Sequence, residues 1–204
     1  MCSYSENPFF KFEDSSLPLG FSIPDVSMFG MLKLSAEQRV DAAAYEYFGK
    51  KCSYKEIIKK IEDVSGAYYS LGVGKGDIVT IIMPNTPEGV ISIYALNRIG
   101  AVVNILHPLS AQEEIKEHIN NVESKILLCV DICSEKIANI IDETPLECVI
   151  VASAGDSMPF VMKSLYALKC IKNFKHYKAD KRYISWQDFA KRKCNVPEYC
   201  PKGE

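Results

Sequence analysis

The sequence predicts an α/β fold with a mainly parallel sheet flanked by helices, built from successive βαβ units. Four apolar runs recur at regular intervals, beginning at Ile78, Ala101, Lys125 and Glu147. Each pair of runs is separated by a segment with helical periodicity, and this alternation is typical of parallel sheets. The runs are nearly continuous in Ile, Val and Leu, as strands covered on both faces require.

The bulk composition favours an ordinary globular protein. The chain has 204 residues, 48% of them hydrophobic, and a formal net charge of -2 with a pI near 6.0. This charge argues against a dominant role in nucleic-acid binding. We divide the chain into an irregular lead over 1–34, an α/β subdomain over 35–154, and a less regular extension over 155–204.

The cysteines and the amino terminus predict a cytoplasmic protein. The first residues lack a basic segment followed by an apolar one, and no apolar run is long enough to cross a bilayer. Eight cysteines are present without a CxxC pair, and the three histidines do not cluster near them. We expect reduced thiols and no metal site.

Helix boundaries in the first half follow from capping residues. Ser35 is predicted to cap a short helix, and a small hairpin is expected around Gly49. Ser53 and Glu56 match a capping box, and apolar residues behind them recur at helical spacing up to Gly72. Gly72 is expected to end this helix in the left-handed conformation.

Further along the chain, Gly100 is expected to end the helix that precedes the second apolar run. Ser110 and Glu113 suggest another capping box, and Ser185 is predicted to cap a helix that begins at Trp186. A loop is expected after Ala152, followed by an amphipathic helix that begins near residue 162.

The glycine cluster from Gly72 to Gly76 predicts a turn. A phosphate-binding loop needs the order strand, glycine loop, helix, so that backbone N–H groups at the helix start face the anion. Here a helix ends at Gly72 and a strand begins after Asp77. We therefore interpret the cluster as a connection from helix to strand.

Two polar residues are placed where parallel sheets bind ligands. Asn85 follows the first apolar run and His107 follows the second, so both fall at carboxyl ends of predicted strands. Both residues also have a local interpretation, since Asn85 can bond nearby backbone and His107 can cap the next helix. The sequence leaves these alternatives open.

Several segments resemble AMP-dependent acyl-CoA synthetases, members of the adenylate-forming superfamily. These are "LGVGKGD", "MPNTPE" and "RIGAVVNILHP" with the helix that follows, and more weakly "ISWQDF". The resemblance implies the amino-terminal subdomain of that fold. In the whole enzyme it implies ATP and Mg²⁺ to form an acyl-adenylate, and coenzyme A to accept the acyl group.

The resemblance also implies that this chain is an amino-terminal fragment. The family's phosphate loop and terminal lysine have no counterpart here, so no catalytic, cofactor-binding or metal residue is carried over. We expect the isolated chain to be inactive and to bind no cofactor. Asn85 and His107 are the candidates for lining the substrate channel of the whole enzyme.

The expected partners are the missing carboxyl-terminal part of the ligase, a carboxylic acid, and a second copy bound through an exposed apolar face. We expect no nucleic acid and no transmembrane segment. The expected substrate is a fatty acid. Two alternatives remain: a fragment of an aryl- or amino-acid-adenylating enzyme, and a non-catalytic binding or dimerisation module.

Overall fold

The computed structural model describes residues 25–159, 162–166 and 180–196. Most of the predicted irregular lead, and the later part of the amphipathic helix expected after residue 162, lie outside these ranges. The elements in chain order are α1 (Met28–Gln38), β1 (Ala43–Tyr47), β2 (Lys50–Ser53), α2 (Tyr54–Ser70), β3 (Ile78–Ile82), α3 (Pro87–Arg98), β4 (Val102–Ile105), α4 (Gln112–Asn121), β5 (Ile126–Val130), a 3₁₀ turn (Asp131–Cys133), α5 (Ser134–Ile140), a second 3₁₀ turn (Ile141–Glu143), β6 (Cys148–Ala152), α6 (162–166), β7 (Tyr183–Ser185) and α7 (Trp186–Phe189).

A parallel sheet of five strands confirms the predicted fold class. Its strands lie in the order β4-β3-β5-β6-β7, and every neighbouring pair is parallel. The four predicted runs supply β3 to β6, and β1 and β2 form the expected antiparallel hairpin. Strand β7 was not predicted, because three residues in a polar context carry no periodic signal.

The core lies between the sheet and its helices. Every residue of β5 is buried, as expected for a central strand with neighbours on both sides. Helix α2 packs against α3, and α4 packs against α5. Two of the largest buried aromatic residues connect α2 with α7. The rings of Tyr68 in α2 and Phe189 in α7 pack edge to face, with their centres 4.7 Å apart.

Helix α2 begins and ends as predicted. Glu56 N–H donates to Ser53 Oγ at 3.3 Å, and Ser53 N–H donates to Glu56 Oε2 at 2.8 Å. At the other end, Gly72 has φ 86°, and its N–H and that of Val73 bond the carbonyls of Tyr69 and Tyr68. These two hydrogen bonds form a Schellman motif. They give a partner to two carbonyl groups in the last turn of the helix that have none within it.

Helices α3 and α4 end in the same motif. Gly100 takes the left-handed position after α3, with φ 78°, as predicted. After α4 the equivalent residue is Glu123, with φ 50°. Its N–H and that of Ser124 bond the carbonyls of Asn120 and Ile119. A residue with a side chain therefore holds a conformation that favours glycine.

The predicted cap of the first helix was wrong. Helix α1 begins at Met28, so the lead expected to be irregular up to residue 34 turns helical earlier. Ser27 is the cap, because its Oγ accepts the N–H of Gly30 at 3.0 Å. Ser35 lies inside the helix, where its hydroxyl donates to the carbonyl of Met31 at 3.0 Å.

The predicted start of α4 was also wrong, by one residue. Ser110 belongs to the preceding turn, since its N–H donates to the carbonyl of His107 at 3.0 Å. The helix-capping position is Ala111, whose N–H donates to Glu114 Oε2 at 3.3 Å. A capping box also needs a cap side chain that accepts the N–H of the third helical residue. Ala111 has no side-chain oxygen, so this second hydrogen bond of the predicted capping box is missing.

The predicted cap at Ser185 is confirmed, because its Oγ accepts the N–H of Asp188 at 3.1 Å. The helix is shorter than expected and ends at Phe189. The predicted loop after β6 is also present as a series of turns.

Candidate functional site

The carboxyl edge of the sheet gathers the turns that follow β3, β4, β5 and β6. In parallel sheets this edge is the usual place for ligands, because the connecting loops leave a crevice there. The polar side chains that the sequence places after the strands are therefore described from this edge.

The turn after β3 positions Asn85 at the surface. Thr86 N–H donates to the carbonyl of Pro84 at 2.7 Å, and Pro87 then opens α3. Pro87 fits the first helical position because its fixed φ suits the helix. It has no N–H group, and an N–H at this position would have no acceptor within the helix. Asn85 is exposed, whereas Thr86 is buried. Thr86 is the residue at the cap, but its side chain makes no capping hydrogen bond.

The turn after β4 holds His107 in a local role. Its Nδ1 accepts the N–H of Leu109 at 3.1 Å, and its carbonyl accepts the N–H of Ser110. The residue is exposed, and it does not line the cavity that Asn85 lines. The two residues predicted to line a substrate channel thus lie on neighbouring strands without sharing a cavity, and their role stays a prediction.

Two buried carboxyl groups lie at the same edge, and sequence reasoning did not single them out. Glu88, only 2% exposed, sits in the first turn of α3 and accepts a hydrogen bond from Ser157 Oγ. Asp131 directly follows β5 and is fully buried, where its Oδ1 accepts bonds from Ile132 N–H at 2.9 Å and Tyr166 OH at 3.0 Å. Burial raises the pKa of both carboxyl groups, and these hydrogen bonds oppose the rise.

A third carboxylate, Asp156, fixes the segment after β6. It accepts bonds from Ser153 N–H at 2.9 Å and Gln187 Nε2 at 3.0 Å, and Lys163 lies 3.5 Å away. Asp156 carries negative charge close enough to raise the pKa of both Glu88 and Asp131. Three carboxyl groups therefore connect the segment after β6 to other elements. Glu88 connects it to α3, Asp131 connects it to the end of β5, and Asp156 connects it to α7.

A cavity of about 360 Å³ opens beside the turn after β3. It lies between the β1–β2 hairpin and helices α1, α2 and α3, and Asn85 and Thr86 stand at its side. Aromatic rings dominate its wall, and the four tyrosines that line it are Tyr45, Tyr47, Tyr54 and Tyr94.

The glycine turn does not form a phosphate cradle. Gly74 N–H donates to Asp77 Oδ2 at 2.7 Å, and Gly76 N–H donates to the carbonyl of Gly100 at 2.9 Å. The first bond lies within the turn and the second reaches the connection after α3, so neither N–H group faces an anion. Within residues 25–159, 162–166 and 180–196, no group of three or more His, Cys, Asp or Glu side chains is arranged to hold a metal ion. The Gly74 and Gly76 N–H groups of the glycine turn are therefore not available to a phosphate of ATP.

No helix among the described residues is long and apolar enough to cross a membrane.

The fold and the matched sequence now define the class of protein. A family model described as AMP-binding enzyme matches residues 32–184, which is more than half of the chain. The chain belongs to this family, and the resemblance to adenylate-forming acyl-CoA synthetases is confirmed.

Among its curated relatives is the long-chain-fatty-acid–CoA ligase of Bacillus subtilis (strain 168), 24% identical over 164 residues. That match covers 80% of this chain and 29% of the relative. Acetyl-coenzyme A synthetase 1 of Saccharomyces cerevisiae is 33% identical over 84 residues, which is 41% of this chain and 12% of the relative. The chain thus spans less than a third of the length of these relatives.

Solved structures share the fold. The anthranilate CoA ligase AuaEII, determined with anthranoyl-AMP, superposes with a TM-score of 0.69 at 15% identity, over 87% of this chain and 30% of that one. A long-chain-fatty-acid-CoA ligase from Archaeoglobus fulgidus gives a TM-score of 0.60 at 23% identity, over 67% of this chain and 30% of that one.

Proposed function

We propose that this chain is the amino-terminal part of a cytoplasmic, ATP-dependent acyl-CoA synthetase. The whole enzyme joins a carboxylic acid to coenzyme A and releases AMP and pyrophosphate. The observation that carries the proposal is the family match over residues 32–184, which spans the whole parallel sheet up to β7. The role of this part is to present the carboxyl edge of the sheet to the remainder of the enzyme, which supplies the groups that bind ATP and Mg²⁺.

We infer that the acid is a fatty acid. Of the two curated relatives described above, the long-chain-fatty-acid–CoA ligase matches the larger share of this chain, 80% against 41%. The acetyl-coenzyme A synthetase match is more identical but only half as long, and an aryl-CoA ligase shares the fold. An acid with an aromatic ring is therefore the alternative that the experiment must separate.

The substrate is tested on the whole protein with a panel of acids. Acetate, octanoate, palmitate and anthranilate are supplied with ATP, Mg²⁺ and coenzyme A, and the acyl-CoA formed is measured by chromatography. Octanoate or palmitate should give kcat/KM at least tenfold above that of acetate and anthranilate. Preference for anthranilate would contradict the fatty-acid assignment, and no acyl-CoA from any acid would contradict the ligase assignment.

Whether adenylation depends on the rest of the enzyme is tested with this chain by itself. The 204-residue protein is incubated with ATP, Mg²⁺, palmitate and labelled pyrophosphate. We expect exchange into ATP no faster than in a reaction without protein, because the Gly74 and Gly76 N–H groups of the glycine turn already have protein acceptors. Exchange above that background would show that adenylation needs only these residues.

The exposed edge of the sheet supports a second candidate function, a dimerisation module. Within the described residues, β4 pairs with β3 alone, and Val102, Ile105 and Leu109 are 50%, 59% and 77% exposed. No Asp, Glu, Lys or Arg occurs from Gly100 to Ser110, although charges usually protect such edges from pairing.

Light scattering after gel filtration tests this alternative. A dimer that Ile105→Lys converts to a monomer would favour pairing through β4. Leu165→Lys is the matched control, because it adds the same charge at an exposed apolar residue in α6. A protein that stays monomeric at millimolar concentration contradicts the dimerisation module.

A further inference from the structure

The tyrosine-lined cavity beside the β1–β2 hairpin has a lining that suits a cation. Tyrosine rings present a negative π face, to which ammonium groups are attracted within about 6 Å. Within residues 25–159, 162–166 and 180–196, no Lys, Arg or His lines this cavity, and Glu46 is the one carboxylic side chain that does. We propose that this cavity binds a small organic ammonium ion, independently of the ligase reaction.

The rings are held in place from outside the cavity. Tyr47 OH donates to the carbonyl of Ala154 at 3.2 Å, which anchors the hairpin to the segment after β6. Tyr45 stands opposite Cys52 in the hairpin, and both it and Tyr47 are half-buried. Because the positions of the two rings are fixed before binding, no binding free energy is lost in ordering them.

A lysine bonds the hydroxyl of one of these tyrosines. Lys60 Nζ lies 5.9 Å from the centre of the Tyr45 ring and 3.4 Å from its hydroxyl oxygen, to which it donates. Lys60 belongs to α2 and does not line the cavity. Because Nζ lies nearly in line with the C–O bond of Tyr45, it occupies the hydroxyl end and leaves the faces of the ring open.

The electrostatic environment disfavours an anion. Burial raises the pKa of Tyr47, and the nearby Glu88 carboxylate raises it further. Glu88 also adds to the raised pKa of Tyr45, after burial and Cys52. The Glu88 carboxylate is thus close enough to affect the pKa of two of the four tyrosines. Among the described residues that line the cavity, no basic group can pair a carboxylic acid or a phosphate, and the nearby Lys60 ammonium already donates to the hydroxyl of Tyr45.

The size of the cavity limits the ligand. At about 360 Å³ it lies at the lower end of the range for small-molecule sites. It has room for a trimethylammonium group with a short arm, whereas the whole of coenzyme A exceeds it. Choline is therefore a suitable probe for the predicted chemistry.

The decisive comparison is between choline and 3,3-dimethylbutan-1-ol, which has the same shape without the charge. Each is titrated into ¹⁵N-labelled protein while the amide signals of Asn85 and Tyr94 are followed by NMR. We expect choline to bind about 2- to 30-fold more tightly than the neutral alcohol, the range that cation–π attraction supplies. Equal affinities, tighter binding of octanoate, or no saturable shift with choline would each overturn the proposal.

Two variants test the residues assigned to the site. Tyr94→Leu removes one ring, and Glu88→Gln removes the buried charge while keeping an oxygen that can accept from Ser157. Each should weaken choline binding several-fold and leave the affinity for the neutral alcohol little changed. Tyr69→Leu is the control, because Tyr69 is an exposed tyrosine of α2 outside the cavity.

Circular dichroism and a thermal melt confirm that each variant is folded before it is titrated. If Tyr94→Leu fails to fold, Glu88→Gln still tests the role of charge, since it nearly preserves the side-chain volume. Unchanged choline affinity in folded Glu88→Gln would remove the electrostatic basis of the proposal.

Discussion

Gly66 in α2 lies directly beneath the backbone of Cys194. A Cβ atom on Gly66 would overlap the carbonyl oxygen of Cys194 and come within 3.0 Å of its amide nitrogen. The carboxyl-terminal segment of the described chain crosses α2 at this residue. Arg98 Nη2 donates to the carbonyl of Val196 at 3.4 Å and holds the same segment against α3. Glycine is therefore needed in the middle of a helix that would otherwise favour alanine.

Gly66→Ala should destabilise the protein by about 1–3 kcal/mol, since overlap with backbone cannot be relieved by a rotamer change. The free energy of unfolding is measured in urea. The displaced segment should also be cut faster by trypsin after Arg192 or Lys193.

Gly74→Ala provides the control for this prediction. Its Cβ would lie 3.8 Å from Asp77 Oδ2, an ordinary contact, so we expect a change within about 0.5 kcal/mol. If Gly66→Ala is as stable as the parent and no more sensitive to trypsin, the close crossing is absent in solution.

Two serines of α1 distinguish a cap from a helix interior. Ser27→Ala should cost about 1 kcal/mol, because the N–H of Gly30 loses its acceptor. Ser35→Ala should be neutral or slightly stabilising, since alanine is the better helix former inside a helix. Urea denaturation of both variants is the measurement. The reverse order of effects would restore the cap that the sequence alone suggested at Ser35.

Glu123→Gly should stabilise the protein by about 0.5–1 kcal/mol. The left-handed conformation costs a residue with a side chain roughly 1–2 kcal/mol, and the greater freedom of glycine in the unfolded chain offsets part of the gain. The melting temperature reports the change. Glu123→Ala is the control, because it removes the same carboxylate and keeps the Cβ. Equal gains in both variants would assign the effect to charge.

The buried Glu88 makes stability depend on pH. Burial raises its pKa in the folded state, so its stabilising contribution is present at low pH and is lost as the pH rises through that folded-state value. Glu88→Gln should therefore be more stable than the parent at pH 8, and the difference should shrink towards pH 4. Urea unfolding at several pH values measures this. A difference that grows towards low pH would mean that the pKa of Glu88 is lowered instead.

The strands were predictable and their order was not. A run such as Ile126–Val130 must be covered on both faces, so its composition alone indicates a central strand. The order β4-β3-β5-β6-β7 depends on contacts between segments far apart in sequence. Strand β7 has only three residues and gains its strand character from pairing with β6.

The candidate site was only partly predictable for a similar reason. Asn85 and Asp131 both follow an apolar run, so the rule that selected Asn85 would also have selected Asp131. The partner of Asp131, Tyr166, lies in the helix predicted from near residue 162, but nothing in the sequence indicates that this helix meets the end of β5. The tyrosine-lined cavity joins side chains of a hairpin and three helices, and no contiguous motif indicates it.

The helix-to-strand connections before β3, β4 and β5, at the amino edge of the sheet, are closed by the same Schellman motif, at Gly72, Gly100 and Glu123. Adding residues to any of them would break two backbone hydrogen bonds and displace the strand that follows. Variation in loop length among natural forms of this protein should therefore be rare at these three connections, whose length is set by the two backbone hydrogen bonds of each motif.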